Sequence, residues 1–286
     1  MKPLFNQVSI LGLGLIGGSL ALDLKKKGLA RRVVAYNRSP KRCKIALKKN
    51  ACHAAFTDPV TAVRGSELIV FATPVGTIPA IARKIAPHLP PGTVLTDVGS
   101  TKAVLVQTLD SLFGAATPFV GSHPIAGTEH SGVESAVPDL FKDHWWLFTP
   151  TRKTASHQKA LRRLKSLVKA LGAKTAELTP KDHDRYLALV SHLPHMLAYG
   201  LVETVRKTDG GKALRYSGSS FGDFTRIAAS SPQMWAEICL DNRETLGRMM
   251  DQFEKTLAKI RRAVGKGDAK TLTRLFSDAS RVRRKL

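Results

Sequence analysis

The segment Gln7-Val8-Ser9-Ile10-Leu11-Gly12-Leu13-Gly14-Leu15-Ile16-Gly17-Gly18 determines the architecture of this chain. Its apolar first part predicts a β-strand, its glycines predict a tight turn, and residues 19–27 have the composition of a helix. Strand, glycine-rich turn and helix in this order indicate a dinucleotide-binding unit. In such a unit Gly12 permits the turn, Gly14 lets the backbone approach a pyrophosphate, and Gly17 lets the helix pack on the sheet. A glycine-rich turn without a ligand is the alternative interpretation.

Strand-like and helix-like segments alternate from this motif to about residue 178. Further strands are predicted at Arg32–Tyr36, Glu67–Ala72, Thr93–Asp97, Pro118–Gly121, Trp145–Phe148 and Lys174–Leu178, and an amphipathic helix at about Ser156–Leu171. This alternation is typical of βαβ units that build a parallel sheet. We therefore predict an α/β fold in which residues 1–178 form a dinucleotide-binding domain of the Rossmann type.

The pattern changes after Thr179-Pro180. Residues Lys181–Arg206 and Pro232–Val264 carry apolar side chains at helical spacing, and each region follows a Thr-Pro or Ser-Pro pair that suits a capped helix start. Residues 179–286 are predicted to form an all-helical domain for substrate binding and dimerisation. A helix of about 33 residues in a chain of this size more often packs against a partner than stands in solvent, so we expect a homodimer through the helical domain.

Composition excludes several classes of protein. The chain has 286 residues, 43% of them hydrophobic, and its mean hydropathy is −0.10. It has no apolar run of about 18 residues, which a membrane helix requires, and no export signal is visible. We therefore expect a cytoplasmic protein without membrane contact. The three cysteines, Cys43, Cys52 and Cys239, have no metal-ligand spacing and are predicted to be reduced thiols.

Charge is the extreme feature of the composition. The chain has 45 basic and 22 acidic residues, a net charge of +23, and most of the excess lies after residue 150. Three interpretations are open: a solvated basic surface, steering of polyanionic small molecules, or nucleic-acid binding. The basic tail from Arg274 to Lys285 lacks interleaved aromatic residues, so no specific nucleic-acid binding is expected.

The end of the second predicted strand bears on the choice of cofactor. NAD enzymes usually carry an acidic residue there, about 20 positions after the glycines, to bind the ribose 2′-hydroxyl. Here the segment reads Tyr36-Asn37-Arg38-Ser39, and Arg38 offers a planar fork that suits a 2′-phosphate. NADP is therefore favoured over NAD, with NAD held through Asn37 as the alternative. The predicted cofactor-binding residues are Gly12, Gly14, Leu15, Ile16, Gly17, Asn37, Arg38, Ser39, Thr73 and Pro74.

Candidate catalytic groups follow the later strands. His123 lies in a segment predicted as a glycine-rich loop just after a strand, where open α/β sheets bind ligands, and it is a candidate acid/base group. In the helical half, His192 and His195 are three residues apart and share a helix face. With Arg226 they are expected to line an anion pocket. Metal binding by the two histidines is a weaker alternative, and no metal is expected.

Four motifs in this order resemble the prephenate/arogenate dehydrogenases of tyrosine biosynthesis. They are Gly12–Ser19, Gly121-Ser122-His123-Pro124-Ile125-Ala126-Gly127-Thr128-Glu129, Ser191-His192-Leu193-Pro194-His195 and Asp223-Phe224-Thr225-Arg226-Ile227-Ala228. Together they span nearly the whole chain, and the His-Pro-Ile-Ala-Gly-Thr-Glu loop is the most specific of them. The resemblance implies the NAD(P)-dependent oxidative decarboxylation of prephenate to 4-hydroxyphenylpyruvate, of arogenate to tyrosine, or of both.

The resemblance also implies roles for individual residues. His123 would take the proton of the substrate hydroxyl, and Ser100 would hold that hydroxyl and orient the histidine. Arg226 would bind the side-chain carboxylate of the dianionic substrate. His195 would contact the ring carboxylate with His192 beside it. Thr128 and Glu129 are assigned to the substrate site, and Glu129 is expected to pair with Arg226 at the pocket mouth before substrate enters.

The choice of substrate and two alternative functions stay open. In the family that the chain resembles, arogenate-specific members tend to carry an acidic residue near Gly218–Phe221 that meets the substrate amine. This chain has none there, so the resemblance favours prephenate over arogenate. A β-hydroxyacid dehydrogenase would share the two-domain architecture. That class is typified by a catalytic lysine on the first long helix of the helical domain, where this chain has His192 and His195. A non-catalytic NADP sensor would need no base such as His123.

Overall fold

The computed structural model describes residues 2–285, and within them the strands form one sheet of eight. The strands are β1 (Phe5–Leu11), β2 (Ala30–Tyr36), β3 (Ala54–Phe56), β4 (Leu68–Phe71), β5 (Val94–Asp97), β6 (Phe119–Pro124), β7 (Trp145–Thr149) and β8 (Lys174–Glu177). Their order is β3-β2-β1-β4-β5-β6-β7-β8. The first six are parallel, β7 runs antiparallel to β6, and β8 is parallel to β7. The chain reverses its direction of growth between β1 and β4, where such sheets bind their ligands.

Helices surround this sheet and continue beyond it. They are α1 (Leu15–Lys26), α2 (Pro40–Lys48), α3 (Pro59–Val63), α4 (Ile78–Ile85), α5 (Ala103–Phe113), α6 (Ala155–Ala170), α7 (Pro180–Leu187), α8 (Leu193–Asp209), α9 (Ser219–Thr225), α10 (Pro232–Asp241), α11 (Arg243–Gly265) and α12 (Ala269–Arg283). A π-helical turn, Ala188–His192, joins α7 to α8. The α/β class and the helical C-terminal part are confirmed. None of the described helices has the length and apolarity that a membrane crossing requires.

The core lies on both faces of the sheet because side chains alternate along each strand. On β4, Leu68 and Val70 belong to one apolar cluster, whereas Ile69 and Phe71 belong to the other. The first cluster includes buried residues of α1 and α6, and the second includes those of α4 and α5. Strands buried on both faces have no polar alternation, which is why the sequence shows them as continuous apolar runs.

The predicted caps at the start of the helical part are present. Thr179 Oγ1 accepts the Asp182 amide at 3.0 Å at the start of α7, and Ser231 Oγ accepts the Met234 amide at 3.4 Å at the start of α10. The last strand ends at Glu177 and α7 begins at Pro180. The division into domains 1–178 and 179–286 stays a prediction. In the described residues Cys43, Cys52 and Cys239 are free thiols.

Three elements differ from the prediction. Strand β3 was not predicted, because three half-buried residues give no periodic signal. The single helix expected over Pro232–Val264 is broken at Asn242, which leaves helical geometry (φ −110°, ψ 24°) and donates its side-chain amide to the Asp184 carbonyl. Strand β6 continues to Pro124, so His123 lies inside a strand rather than in a loop after it. Long-range pairing decides all three.

Candidate active site

The glycine turn after β1 is closely packed except at one position. A Cβ on Gly12, whose φ is +125°, would lie 2.4 Å from the Ala72 carbonyl carbon, and one on Gly17 would lie 2.0 Å from the Gly12 carbonyl oxygen. A Cβ on Gly14 would meet no atom within 4 Å. Gly14 is also the N-cap of α1, which has no side-chain cap. The open space therefore adjoins the first-turn amides of Leu15, Ile16 and Gly17, which are the donors that a helix N-terminus offers to an anion.

The end of β2 presents cations and no carboxylate. Asn37 is buried, and its Oδ1 accepts the Ser39 amide at 2.9 Å. Ser39 in turn caps α2, whose first turn has no acidic residue. Arg38, Lys41 and Arg42 are exposed there. The Asn37 oxygen accepts from within the protein, and the exposed cations beside it suit contact with a charged ribose substituent.

Thr73 and Pro74 follow β4 beside the glycine turn. A Cβ on Gly12 would lie 2.6 Å from the Thr73 amide nitrogen, and the Thr73 hydroxyl is buried without a protein partner. A buried hydroxyl that makes no hydrogen bond is costly unless a ligand or water supplies one. This position therefore suits contact with a bound cofactor.

His123 belongs to a chain of three polar side chains. Its Nδ1 lies 2.9 Å from Nε2 of His183, and Nδ1 of His183 lies 2.8 Å from Oδ1 of Asp184. Asp184 also accepts the amides of Lys102 and Ala103, each at 2.8 Å. Helix α7 of the helical part is thereby joined to the start of α5. Ser100 is half-buried and lies two residues before Lys102.

A buried ion pair lies next to these three side chains. Lys102 and Asp97 are both fully buried and paired through Nζ and Oδ2. Asp97 also accepts the amides of Gly99 at 2.8 Å and Ser122 at 2.9 Å. These bonds hold the turn after β5 against β6, which carries His123. They satisfy a buried carboxylate, whose desolvation would otherwise be costly.

The environment keeps the histidines neutral. Burial holds the pKa of His123 well below its usual value, and the neighbouring His183, Lys102 and His192 lower that pKa further. Burial lowers the pKa of His192 to about 4, and His183 and His195 contribute in the same direction, against Asp184. A neutral imidazole at neutral pH can act as a proton acceptor or as a neutral hydrogen-bond donor.

His192 and His195 come together around Trp235. The His195 ring stacks on Trp235 with centroids 3.6 Å apart, and the His192 ring meets it edge-on at 6.0 Å. Nδ1 of His195 is 2.9 Å from the Ser191 carbonyl, and Nδ1 of His192 is 3.3 Å from Nδ2 of Asn242. Each histidine therefore has one nitrogen engaged within the protein and one remaining for another partner.

Arg226 and Glu129 form the expected pair across the two halves of the chain. Arg226 Nη1 lies 2.7 Å from Glu129 Oε2, and the arginine side chain is 59% exposed. Thr128 is exposed beside Glu129, and its Oγ1 accepts the His130 amide at 3.3 Å. An exposed pair is easily exchanged for another anion, because its net stabilisation in water is small. Across residues 2–285, no group of three His, Cys, Asp or Glu side chains is arranged to hold a metal ion.

The comparison with known families agrees with this geometry. The model of the prephenate dehydrogenase nucleotide-binding domain matches residues 20–177. The model of the prephenate dehydrogenase dimerisation domain matches residues 179–278. The chain belongs to the prephenate dehydrogenase family.

Individual members of the family are similar over the whole chain. Prephenate dehydrogenase of Bacillus subtilis (strain 168) is 33% identical over 99% of this chain and 76% of its own length. The crystal structure of prephenate dehydrogenase from A. aeolicus, in complex with hydroxyphenyl propionate and NAD+, superposes with a TM-score of 0.90 and 32% identity over 100% of this chain and 98% of that one. The crystal structure of Synechocystis arogenate dehydrogenase superposes with a TM-score of 0.81 at 29% identity, over 98% of this chain and 99% of that one.

Membership makes this chain an NAD(P)-dependent oxidoreductase of the prephenate/arogenate dehydrogenase type. The family performs an oxidative decarboxylation in tyrosine biosynthesis, and a nicotinamide cofactor is its oxidant. The 3-hydroxyisobutyrate dehydrogenase from Salmonella typhimurium superposes with a TM-score of 0.61 at 12% identity. That likeness shows the shared fold alone.

Five residues of this candidate site had no role in the prediction from sequence: Lys102, His183, Asp184, Trp235 and Asn242. A signal existed for His183, which lies four residues before the buried Leu187 and so shares the inward face of α7. Lys102 stands in the same turn as Ser100. Asn242 and Trp235 gave no signal, since their partners lie about 50 and 40 positions away in sequence.

Proposed function

We propose that the chain catalyses the NADP-dependent oxidative decarboxylation of prephenate, with His123 as the general base. The observation that carries this proposal is the position of His123. It stands at the carboxyl end of β6, on the same sheet edge as the glycine turn after β1, and its pKa is held low by burial. Ligands of open α/β sheets bind at this edge, and a base must be neutral to accept a proton.

Each polar group has one task in this reaction. Nε2 of His123 accepts the proton of the substrate hydroxyl, and the Ser100 hydroxyl holds that same oxygen. A bound nicotinamide supplies the acceptor for the hydride of the carbinol carbon. The ring carboxylate then leaves as CO₂, and aromatisation of the ring drives the step. Gly12, Gly14 and Gly17, with the first-turn amides of α1, would hold the pyrophosphate.

The two carboxylates of prephenate are bound differently. Arg226 takes the side-chain carboxylate after its exchange with Glu129, while Thr128 lines the mouth. His195, with His192 beside it, contacts the ring carboxylate. Because the pKa of His192 is about 4, it supplies a neutral N–H group rather than a charge at neutral pH. Arg226 is therefore the permanent cation of the pocket.

The homodimer is proposed to form through the helical part. Met250, Leu257 and Val264 on α11 are 40%, 51% and 63% exposed, and they recur every seven residues. Side chains at this spacing make one apolar stripe along a helix. A stripe of this kind is stabilised when a second copy of the chain covers it. The match to a dimerisation-domain model over residues 179–278 supports this assignment.

The test is a spectrophotometric assay that crosses prephenate and arogenate with NADP⁺ and NAD⁺. We expect reduction of NADP⁺ with prephenate to be fastest. His123→Asn should bind substrate normally, but its turnover should fall by at least about 100-fold, because general-base catalysis contributes about 10²–10⁴-fold. Near-normal turnover of His123→Asn would remove the assignment of the base, and faster reduction with arogenate would reverse the substrate choice.

A further inference from the structure

The Nδ1 atom of His123 has a partner that the mechanism above does not use. It lies 2.9 Å from Nε2 of His183, whose ring is tilted by 56° to that of His123 at 5.1 Å between centroids. Nδ1 of His183 lies 2.8 Å from Oδ1 of Asp184, and His183 is fully buried. We call this series of three residues, His123, His183 and Asp184, the histidine chain.

The carboxylate fixes the direction of each hydrogen bond in the histidine chain. Asp184 accepts the amides of Lys102 and Ala103. Burial opposes ionisation, but hydrogen bonds from His183, Ala103 and Lys102 hold the pKa of Asp184 below its usual value. An ionised carboxylate only accepts, so Nδ1 of His183 donates and its Nε2 accepts. Nδ1 of His123 must then donate, which leaves the lone pair on its Nε2.

We propose that His183 and Asp184 are positioning residues that hold His123 in the tautomer with a free Nε2 and stabilise the imidazolium formed when it takes the substrate proton. This inference rests on the proposed role of His123. The step balances simply: the O–H bond of the substrate breaks, a new N–H bond forms at Nε2, and no proton leaves Nδ1. The positive charge gained by His123 then faces Asp184 through the ring of His183.

Charges on the neighbouring elements also act on the two rings of the histidine chain. Lys102, from the turn before α5, lowers the pKa of both His123 and His183. His192, from the π-helical turn, acts on His123 in the same direction, and Asp97 is paired with Lys102. Before substrate is deprotonated, His123 and His183 of the histidine chain are therefore both neutral. Asp184 orients the rings, and its negative charge is already in place when the imidazolium of His123 forms.

The experiment compares His183→Gln with His183→Phe. A glutamine amide oxygen can occupy the place of the histidine Nε2 and accept from His123, whereas phenylalanine cannot. We expect His183→Phe to lose about 100-fold in kcat with KM within about twofold, because the base is then in mixed tautomers. His183→Gln should retain most of kcat. Circular dichroism of both variants checks that they are folded.

A second readout needs no turnover. In ¹⁵N-histidine-labelled protein, with His123→Asn used for assignment, the His123 signals of the wild type should show a protonated Nδ1 and a free Nε2. In His183→Phe they should shift toward the other tautomer. A free Nδ1 in the wild type, or full kcat in a folded His183→Phe, would overturn the proposal.

Asp184→Asn is the second variant if His183→Phe does not fold. Without the carboxylate the imidazolium of His123 loses its counter-charge, so the acid limb of kcat/KM should move to lower pH and kcat should fall. A merely structural role predicts lower thermal stability with an unchanged pH profile, and that result would contradict the proposal. Failure of the proposed base is seen separately: His123→Asn would stay active while the wild-type tautomer could still be the expected one.

Discussion

Arg38 is the residue that bears most directly on cofactor choice. It is exposed just after β2, where Asn37 turns its oxygen to the Ser39 amide. We expect Arg38→Ala to raise KM for NADP⁺ by about tenfold or more and to leave KM for NAD⁺ nearly unchanged, because hydrogen bonds to a charged group are worth about 1.5–3 kcal/mol. Arg31→Ala, at the other end of the same strand, is the matched control. Equal effects on both cofactors would contradict a contact with the 2′-phosphate.

The pH dependence follows from His123. As the proposed base, His123 must be neutral to accept a proton, and its pKa is lowered from 6.5 by burial and by neighbouring His183, Lys102 and His192. A base with a lowered pKa stays neutral as the pH falls, and it protonates only below that pKa. We therefore expect kcat/KM with prephenate to hold between pH 8 and about 6.5 and to decline only below that. A decline that begins above pH 7 would be inconsistent with this environment.

At the scale of elements, the junction of β1 and α1 offers a matched pair of substitutions. Gly14→Ala adds a methyl group where no atom lies within 4 Å, whereas Gly17→Ala places one 2.0 Å from the Gly12 carbonyl oxygen. Gly17→Ala should destabilise the fold by about 1–3 kcal/mol through overpacking. Gly14→Ala should keep the wild-type melting temperature but weaken dinucleotide binding, as measured by fluorescence titration. Unaltered binding by Gly14→Ala would show that the open space is not the pyrophosphate site.

Elements from both halves of the chain meet at the histidine chain. Asp184 of α7 accepts the first amides of α5, and Thr101 Oγ1 donates to Asp241 of α10 at 3.1 Å. Asn242, at the break between α10 and α11, donates to the Asp184 carbonyl at 2.8 Å. The break that the periodicity did not reveal therefore carries the side chain that joins α10 and α11 to α7.

At the scale of the whole molecule, the apolar stripe on α11 predicts the oligomeric state. Leu257→Glu places a charge in the middle of the stripe and should convert a dimer to a monomer, because burying an unpaired carboxylate is costly. Leu47→Glu, at an exposed leucine on α2, is the control that should leave the dimer intact. Analytical ultracentrifugation distinguishes the two. A dimeric Leu257→Glu would place the interface elsewhere.

Net charge is also a property of the whole molecule. A protein of net charge +23 attracts a dianion over a distance set by the Debye screening length. This length falls from about 30 Å at 0.01 M salt to about 3 Å at 1 M. We expect kcat/KM for prephenate to decline across this range while kcat stays nearly constant. A value of kcat/KM that does not respond to salt would favour the solvated-surface interpretation of the charge.

The local features of this protein could be predicted from the sequence alone. The glycine turn, the order of strands and helices and the caps Thr179 and Ser231 depend on neighbouring residues, and the four motifs indicated the family that the comparisons confirmed. Glu129 and Arg226 were paired through the resemblance, and the structure brings them to 2.7 Å.

The environment of His123 could not be predicted, because it is built from residues that meet only in the folded chain. Its partner His183 is 60 positions away in the sequence, and Asp184 accepts the amide of Lys102, which is 82 positions away. Strand β3, the extension of β6 and the break at Asn242 likewise depend on partners distant in the chain. The physical reason is that the pKa and tautomer of a histidine are set by burial and by the groups that face each ring nitrogen, and both exist only when the chain is folded.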